Sequence, residues 1–427
     1  MKIVFINPPQ PNLVNPGTQA PLGVLYLIAV LRNAGYQDVE LLNLTAVDPD
    51  KVEFPEADIY GFTATSLDYH LCEQLSKQVK IQYPKAKILL GGAHATITHS
   101  LGMVNMQCFD SVCIGEAESI IVRMVEDVQN DTLLNRYFGE PIQPLDQLPF
   151  PARDVLEQQG GKIFGLGTQF SSNESTVIMG SRGCPFSCAF CASAAIWKTK
   201  NVRRRQPINI AAEIRHVKDA YGINEFRFSD DNLNLSRKWL HALCEKLKPL
   251  DIIWRGSVHA GFSTYEDYKI MYNAGCREIC PGIESGDQRV LDTLRKGTTC
   301  EQNVQCINEA SQAGINVRVL LITGAPGEYS NTPELTMEFL SNVNYHSLAL
   351  KQFRPFPGSE IWAHPEEFGC RILDNDCAKQ NFYFWGAAGE TPIRSLVETD
   401  MMSAADLEDN MRRMHDYVKA TKKDNRG

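Results

Sequence analysis

The 427-residue chain lacks any apolar run long enough to cross a membrane: its most apolar stretch, Gly23–Leu31, falls far short of the roughly 20 residues that span a bilayer. Met1–Pro9 carries one lysine and no long apolar segment, so no secretory leader is expected, and the expected location is cytoplasmic. Positive charge is also short. Lys and Arg number 42 against 51 Asp and Glu, and the net charge of −9 excludes a broad basic field for nucleic acid. Internal repeats and low-complexity tracts are absent. With no secretion signal, the 13 cysteines read as reduced thiols or metal ligands rather than disulfides. What remains is ordinary globular composition, 43% hydrophobic and 22% charged, in a chain long enough for two or three domains.

Residues 1–135 alternate short β-branched runs with amphipathic stretches, the pattern of a parallel sheet with crossover helices. Expected strands are 2–6, 39–44, 58–63, 87–90 and 111–114, with helices over 22–34, closed by Gly35, and 71–82, followed by Pro84. Five such strands make a doubly wound, flavodoxin-like domain that binds its ligand beyond the carboxyl ends of the strands. Periodicity fades over residues 136–173, where Pro141, Pro144, Pro149 and Pro151 accumulate, and this segment reads as a linker. A second alternating series follows, with strands expected at 176–180, 225–229, 252–258, 278–283, 316–322 and 348–353. Six βα units over residues 174–365 predict an open, partial (β/α)6 barrel. Residues 366–427 form a C-terminal segment ending in a helix over 404–419, capped by Ser403 with Asp406 three residues on, and this segment is expected to cover the substrate site.

Cys184-Pro-Phe-Ser-Cys188-Ala-Phe-Cys191 places three thiols within eight residues, just after the first barrel strand and the turn Gly180-Ser-Arg-Gly183. Three thiolates can hold three irons of a 4Fe-4S cube and leave the fourth open, so that S-adenosylmethionine can chelate it. A structural zinc site would need a fourth ligand, and the next cysteine is Cys244, in a helix-like stretch.

This segment resembles the radical S-adenosylmethionine superfamily, whose CxxxCxxC signature it matches, with the usual aromatic, Phe190, before the third cysteine. The resemblance continues around the barrel. Phe228-Ser229-Asp230-Asp231 is similar to the second-strand motif near the amino group of S-adenosylmethionine, and Gly282-Ile-Glu284-Ser285-Gly286 with Leu291–Thr299 to the fourth-strand motif near its ribose and methionyl part. Gly324-Ala-Pro-Gly-Glu328 and Arg354-Pro-Phe-Pro-Gly-Ser359 match the fifth and sixth strand ends. The third strand departs from the pattern: His259 stands where related sequences tend to have Arg, and Arg255 is the candidate substitute. Arg203, Arg204 and Arg205, beyond the cluster loop, read either as a solvated charge run or as the Arg-x-Arg feature of similar enzymes.

In the first domain the strand ends carry Asn7-Pro8-Pro9, Pro21-Leu22-Gly23, Thr65-Ser66-Leu67, Gly91-Gly92-Ala-His94-Ala-Thr96 and Gly115-Glu116-Ala-Glu118. With Leu145–Arg153 they resemble the cobalamin-binding radical S-adenosylmethionine family, over residues 1 to 365. Small residues there would let a corrin or its nucleotide tail approach the backbone, Gly91 and Gly92 above all, while a tight strand-to-helix turn is their structural alternative. The loop Pro8-Pro-Gln-Pro-Asn12 has no Asp-x-His-x-x-Gly histidine, so the lower face of cobalt is expected to be water-bound or empty, with His94 a local hydrogen-bonding residue.

The resemblance implies an enzyme with a 4Fe-4S cluster, S-adenosylmethionine and cobalamin. It would methylate an unactivated carbon of a small metabolite through methylcobalamin and a 5'-deoxyadenosyl radical, fed by a reductant such as flavodoxin or ferredoxin. A cyclase or ring-rearranging enzyme is the alternative. A transfer-RNA methylthiotransferase would carry a second cysteine triad, whereas Cys72, Cys108 and Cys113 are placed for packing, and a cobalamin carrier or sensor would not need the cysteine loop. The aromatic run Asn381–Trp385 is a candidate cover for the substrate.

Overall fold

The computed structural model describes residues 1–10, 20–158, 175–377 and 392–421, which fall into two compact units, one mainly of residues 1–165 and one mainly of residues 166–427. The aromatic run 381–385 lies outside the described residues, as do Pro11 and Asn12.

In the first unit, β1 (Ile3–Asn7), β2 (Val39–Asn43), β3 (Ile59–Thr63), β4 (Lys87–Gly91), β5 (Ser111–Gly115) and β6 (Arg136–Gly139) form one sheet in the order β2-β1-β3-β4-β5-β6, parallel throughout. The sequence Ile-Val-Phe-Ile-Asn of β1 is buried at every position, as a central parallel strand covered by helices on both faces must be. The order reverses between β1 and β3, and the crevice beyond their carboxyl ends is where such a sheet binds a ligand. β6 lies in the segment read as a linker: it is four residues long, with half its side chains exposed, so its alternation was too short to register as a strand.

The second unit holds β7 (Ser175–Ile178), β10 (Glu225–Phe228), β11 (Ile253–Val258), β12 (Cys276–Glu284), β13 (Asn316–Thr323) and β14 (Ser347–Gln352), a six-stranded parallel sheet in consecutive order. A short ribbon of β8 (Ser181–Arg182) and β9 (Arg203–Arg204) flanks it, and β15 (Cys370–Ile372) pairs with β16 (Val397–Thr399). The helix Ala404–Thr421 starts as expected, with Ser403 Oγ donating to Asp406 at 2.7 Å. It is tied to the barrel by Asn410, whose Nδ2 donates to Glu328 at 3.0 Å. Among the described residues no helix is long and apolar enough to cross a membrane.

Candidate functional site

The three thiols stand on a loop that is clamped at its start. The amide of Gly180 donates to Asp230 at 2.8 Å and Ser181 Oγ donates to the same carboxylate at 2.5 Å. Burial pushes the Asp230 carboxyl up to about 6 despite these hydrogen bonds. The β8–β9 pairing then turns the chain back, and Gly183 is required there: its φ is +103° and a Cβ would stand 2.6 Å from the carbonyl oxygen of Asn201. Arg203 and Arg205 are buried, which rules out the solvated charge run. Arg205 pairs with buried Glu213 at 2.5 Å and donates to the carbonyl of Met179 at 2.9 Å, while Arg204 lies over the Trp239 ring. This cationic stretch is a strut beneath the loop.

Cys184 and Cys188 are partly buried and Cys191 is exposed. Asn232 Nδ2 donates to Cys184 Sγ at 3.6 Å, the amide of Ser193 donates to Cys191 Sγ at 3.4 Å, and Ser193 Oγ donates to Asp231 at 2.9 Å. Donors aimed at sulfur favour the thiolate. Burial nevertheless pushes Cys188 up to about 11, with Lys296 opposing it, so ligation must expel thiol protons.

Across from the loop, the β12–β13 register slips between Gly282 and Glu284, and Glu284 has φ of +64°. Such a slip re-aims a side chain at a strand end. Glu284 accepts a 2.8 Å hydrogen bond from Lys296 Nζ, and a Cβ on Gly282 would stand 2.4 Å from the Glu284 carboxylate and 2.7 Å from that ammonium. The Phe190 ring centroid is 6.0 Å from Lys296 Nζ. Phe186 of the cluster loop stacks on His259, centroids 4.2 Å apart. Burial and the Lys296 charge lower His259 to about 4, so it is neutral, and its buried Nε2 has no hydrogen-bond partner.

Not every expected residue joins this group. Ser285 is buried behind the rim, accepting from the amide of Asp287 at 3.1 Å beside Thr336, and Ser229 Oγ donates to the carbonyl of Ile178 at 3.2 Å. Arg255 does not replace a rim arginine at the third strand. It sits four residues below His259 and pairs with Glu278 at 3.0 Å.

In the first unit, Asn7 donates to Asn43 at 3.0 Å, the amide of Thr65 donates to Asp68 at 2.6 Å, and Glu116 accepts from the amide of Ile142 at 3.0 Å. Thr96 Oγ1 donates to the Gly92 carbonyl at 2.9 Å and accepts from the Gly115 amide at 3.0 Å, tying two strand ends together. Gly92 meets its own chain: with φ of +91°, a Cβ would stand 2.8 Å from Thr63 Oγ1 and 2.9 Å from the Ala64 backbone. Gly91 is different, since its Cβ would find nothing nearer than Cys113 at 3.9 Å. A Cβ on Gly23, where Pro21 and Leu22 open the helix Leu22–Asn33, would likewise meet nothing within 4 Å among the described residues. His94 stacks on Tyr69 at 3.9 Å, its Nδ1 lies 3.1 Å from Ser66 Oγ, and burial lowers it to about 4.

Residues 178–340 match the Radical SAM superfamily, and residues 13–125 match the B12 binding domain. The chain thus carries both a radical S-adenosylmethionine domain and a B12-binding domain. It is 28% identical over 395 residues to an uncharacterized methyltransferase of Pyrococcus horikoshii, covering 85% of this chain and 83% of the relative. It is 25% identical to the anaerobic magnesium-protoporphyrin IX monomethyl ester cyclase of Rubrivivax gelatinosus, covering 96% and 76%. Its fold is like that of the radical S-adenosylmethionine methyltransferase TsrM from Kitasatospora setae, solved with cobalamin and a [4Fe-4S] cluster, with TM-score 0.66, 16% identity and coverage of 88% and 81%.

The residues fit the cofactors of these domains, a 4Fe-4S cluster, S-adenosylmethionine and cobalamin. Among the described residues no three His, Cys, Asp or Glu side chains converge on a single ion. For the cluster the fit lies in the donor set: three free thiols on one loop, two of them accepting hydrogen bonds from Asn232 and the Ser193 amide. For cobalamin the fit lies in the unfilled space at Gly91 and Gly23. Cys72, Cys108 and Cys113 are buried, in keeping with their expected packing role. Sequence reasoning missed Lys296, Asn232 and Phe186. Lys296 stood inside the Leu291–Thr299 motif, and the signal was a lone lysine before Gly297 in that motif.

Proposed function

We propose that this enzyme methylates an unactivated carbon of a small molecule. The reading rests on one observation: a three-thiol loop facing Lys296 and Glu284 shares a chain with a B12-binding domain. When bound, the cluster supplies the electron that cleaves S-adenosylmethionine and cobalamin supplies a carrier for its methyl group.

The chain's own residues bind and orient. Cys184, Cys188 and Cys191 hold the cluster, and Asn232 and the Ser193 amide steady two of the sulfurs. Lys296, held cationic by Glu284, compensates the negative charge of thiolates and cluster and offers a partner for the carboxylate of S-adenosylmethionine. Asp231 and Glu284 are the acceptors placed for its amino and ribose groups, and Phe190 and the Phe186–His259 stack keep water from the loop. Ser229, Asp230 and Ser285 act behind them, as positioning residues. Asn7, Pro8, Pro21–Gly23, Thr65–Leu67, Gly91, Thr96, Gly115 and Glu116 form the rim for cobalamin, Gly92 sets the turn behind it, and His94 shapes it without binding cobalt. A flavodoxin or ferredoxin would deliver the electrons in the cytoplasm.

The Pyrococcus relative and the Kitasatospora protein are named methyltransferases, which supports this reading. The Rubrivivax relative is named a cyclase, which supports a second one, in which no methyl group is transferred. Anaerobic reconstitution with iron, sulfide and cobalamin, followed by turnover with methyl-labelled S-adenosylmethionine, tests both. A methylase forms S-adenosylhomocysteine and 5'-deoxyadenosine one for one with labelled product after uncoupled cleavage is subtracted; 5'-deoxyadenosine with an unlabelled, rearranged product would replace the first reading by the second.

A further inference from the structure

The cysteine loop is gripped at Ala189, the residue after Cys188. Its amide donates at 2.9 Å to the carbonyl of Leu294, its carbonyl accepts at 3.0 Å from the amide of Ile361, and its side chain is fully buried. Leu294 closes the helix Gln288–Thr293 that follows β12, and Ile361 lies in the helix Glu360–Ala363 that follows β14. Ala189, Val290, Leu294, Ala325, Ile361 and Phe368 belong to one apolar cluster, against which Phe190 packs. Two distant segments of the barrel thus meet at the middle of the loop.

The residue after Leu294 breaks a local rule. The amides of Arg295 and Lys296 return to the carbonyls of Asp292 at 3.0 Å and of Leu291 at 2.9 Å, a helix ending that usually takes glycine where Arg295 stands, because the backbone there is left-handed. Arg295 has φ of +49°, a conformation that costs any residue with a Cβ. Its side chain accounts for the exception. The guanidinium bonds Glu360, lies 3.8 Å from Glu367, and has its Cζ 4.7 Å from the centroid of the Phe368 ring. The guanidinium and both carboxylates are about half exposed, and ion pairs in that setting add little to stability. Such a contact is suited to fixing a geometry rather than to holding the fold. What it fixes is a closed circuit: Ala189 to Leu294 through the backbone, Arg295 to Glu360 through side chains, and Ile361 back to Ala189 through the backbone. Next in the chain comes Lys296, whose ammonium meets Glu284 at 2.8 Å.

We propose that Arg295 is a positioning residue for the cluster site: by gripping Glu360, Glu367 and Phe368 it fixes the turn that presents the Leu294 carbonyl to the cysteine loop and the Lys296 ammonium to the cluster. The inference deepens the proposed function and rests on its reading of Cys184, Cys188 and Cys191 as the cluster ligands. Arg295 acts through its two chain neighbours. A left-handed backbone at a residue with a Cβ persists only where its surroundings hold it. Without the grip the turn relaxes, the loop loses one of its two backbone anchors at Ala189, and Lys296 is no longer kept at one distance from the thiolates. The segment Glu360–Phe368 is thereby part of the cluster site although it carries none of the ligands.

The test uses the anaerobically reconstituted holoprotein with Arg295→Asn and Glu360→Gln. Asparagine tolerates the left-handed backbone, so it removes the grip without reshaping the turn. Each variant should lose iron to a chelator roughly fivefold faster than the parent, the weight of about one exposed charged contact. The double variant should be no faster than Arg295→Asn alone, because both substitutions remove the same contact. The cluster's reduction potential, read by electron paramagnetic resonance during a redox titration, should move in the same direction as in Lys296→Met and by less, while the apoprotein melts as the parent does. Unchanged iron loss and potential in both single variants, or additive effects in the double one, would overturn the inference. So would a lower apoprotein melting point with an unchanged potential, the mark of a merely structural ion pair. Cys188→Ala in the same series reports on the cluster assignment itself: full iron content there would sink that assignment, whereas iron lost in Cys188→Ala but held as in the parent by the Arg295 and Glu360 variants would sink only the positioning role.

Discussion

Lys296 and Glu284 form a 2.8 Å ion pair across from the cluster loop, built by a register slip and a left-handed backbone at Glu284 rather than by neighbouring positions on one strand. Burial works against the ammonium, but Glu284 and the cysteine thiols outweigh it, so the lysine's pKa stands above its ordinary value. A fixed cation beside a cluster favours the reduced form. Lys296→Met is expected to lower the cluster's reduction potential by on the order of 100 mV, the effect of a unit charge at about 7 Å in an effective dielectric of about 20. Lys296→Arg should keep most of it. A redox titration followed by electron paramagnetic resonance reads this directly; an unchanged potential in Lys296→Met would refute it.

Cys188→Ala should abolish 5'-deoxyadenosine formation and lower the iron content while leaving cobalamin binding intact, because each cofactor is held by a different unit. Iron assay and the corrin absorbance of gel-filtered protein check it. Parallel loss of both cofactors would mean that the two sites are not independent.

Gly91 and Gly92 separate a ligand-facing glycine from a fold-facing one. Gly92→Ala must force a Cβ against the β3 backbone at positive φ and should cost about 3 kcal/mol or more. Gly91→Ala has space for its methyl in the protein, so stability should change by less than about 1 kcal/mol while cobalamin binding weakens about tenfold. Chemical denaturation and cobalamin titration of the two variants give the comparison. Normal cobalamin affinity in Gly91→Ala would remove that glycine from the site.

His94 is stacked, hydrogen-bonded through Nδ1 and neutral. The cob(II)alamin form of the protein should therefore show no strong nitrogen splitting in its electron paramagnetic resonance, and His94→Gln should leave the spectrum unchanged. A nitrogen triplet lost in that variant would make His94 a cobalt ligand after all.

Glu328 gives stability a pH dependence. It is fully buried, and although Gly324, Ala325 and Asn410 donate to it, burial prevails and pushes it up to about 7. A folded-state pKa above the unfolded value means that the stabilising form is the protonated one. Its contribution is complete below about 4.5 and is lost as pH rises through about 7, a step on the order of 3–4 kcal/mol at about 1.4 kcal/mol per unit. Asp68 and Asp230, both pushed up to about 6, add steps of the same sign at lower pH. Glu328→Gln should flatten the fall in melting temperature between pH 5 and 7; an undiminished slope would exclude Glu328 as its source.

The alternation of apolar runs and amphipathic stretches by itself determined two parallel α/β sheets, because a strand buried on both faces and a crossover helix each leave a local pattern. The spacing of Cys184, Cys188 and Cys191 marked the proposed cluster loop for the same reason: all three thiols lie within eight residues. What only the tertiary structure decided is where side chains at strand ends point. Asp230 turns back to hold Gly180 and Ser181, Ser285 turns away toward Thr336, and Lys296 reaches Glu284 through a register slip that no periodicity records. Arg205 reads as one of a run of charges until Glu213 is found folded against it. Ala189, Leu294 and Ile361 are separated by 105 and 67 residues in the chain, yet their backbones are hydrogen-bonded. Strand ends gathered on one rim by crossovers, whose length the local pattern does not count, make them neighbours.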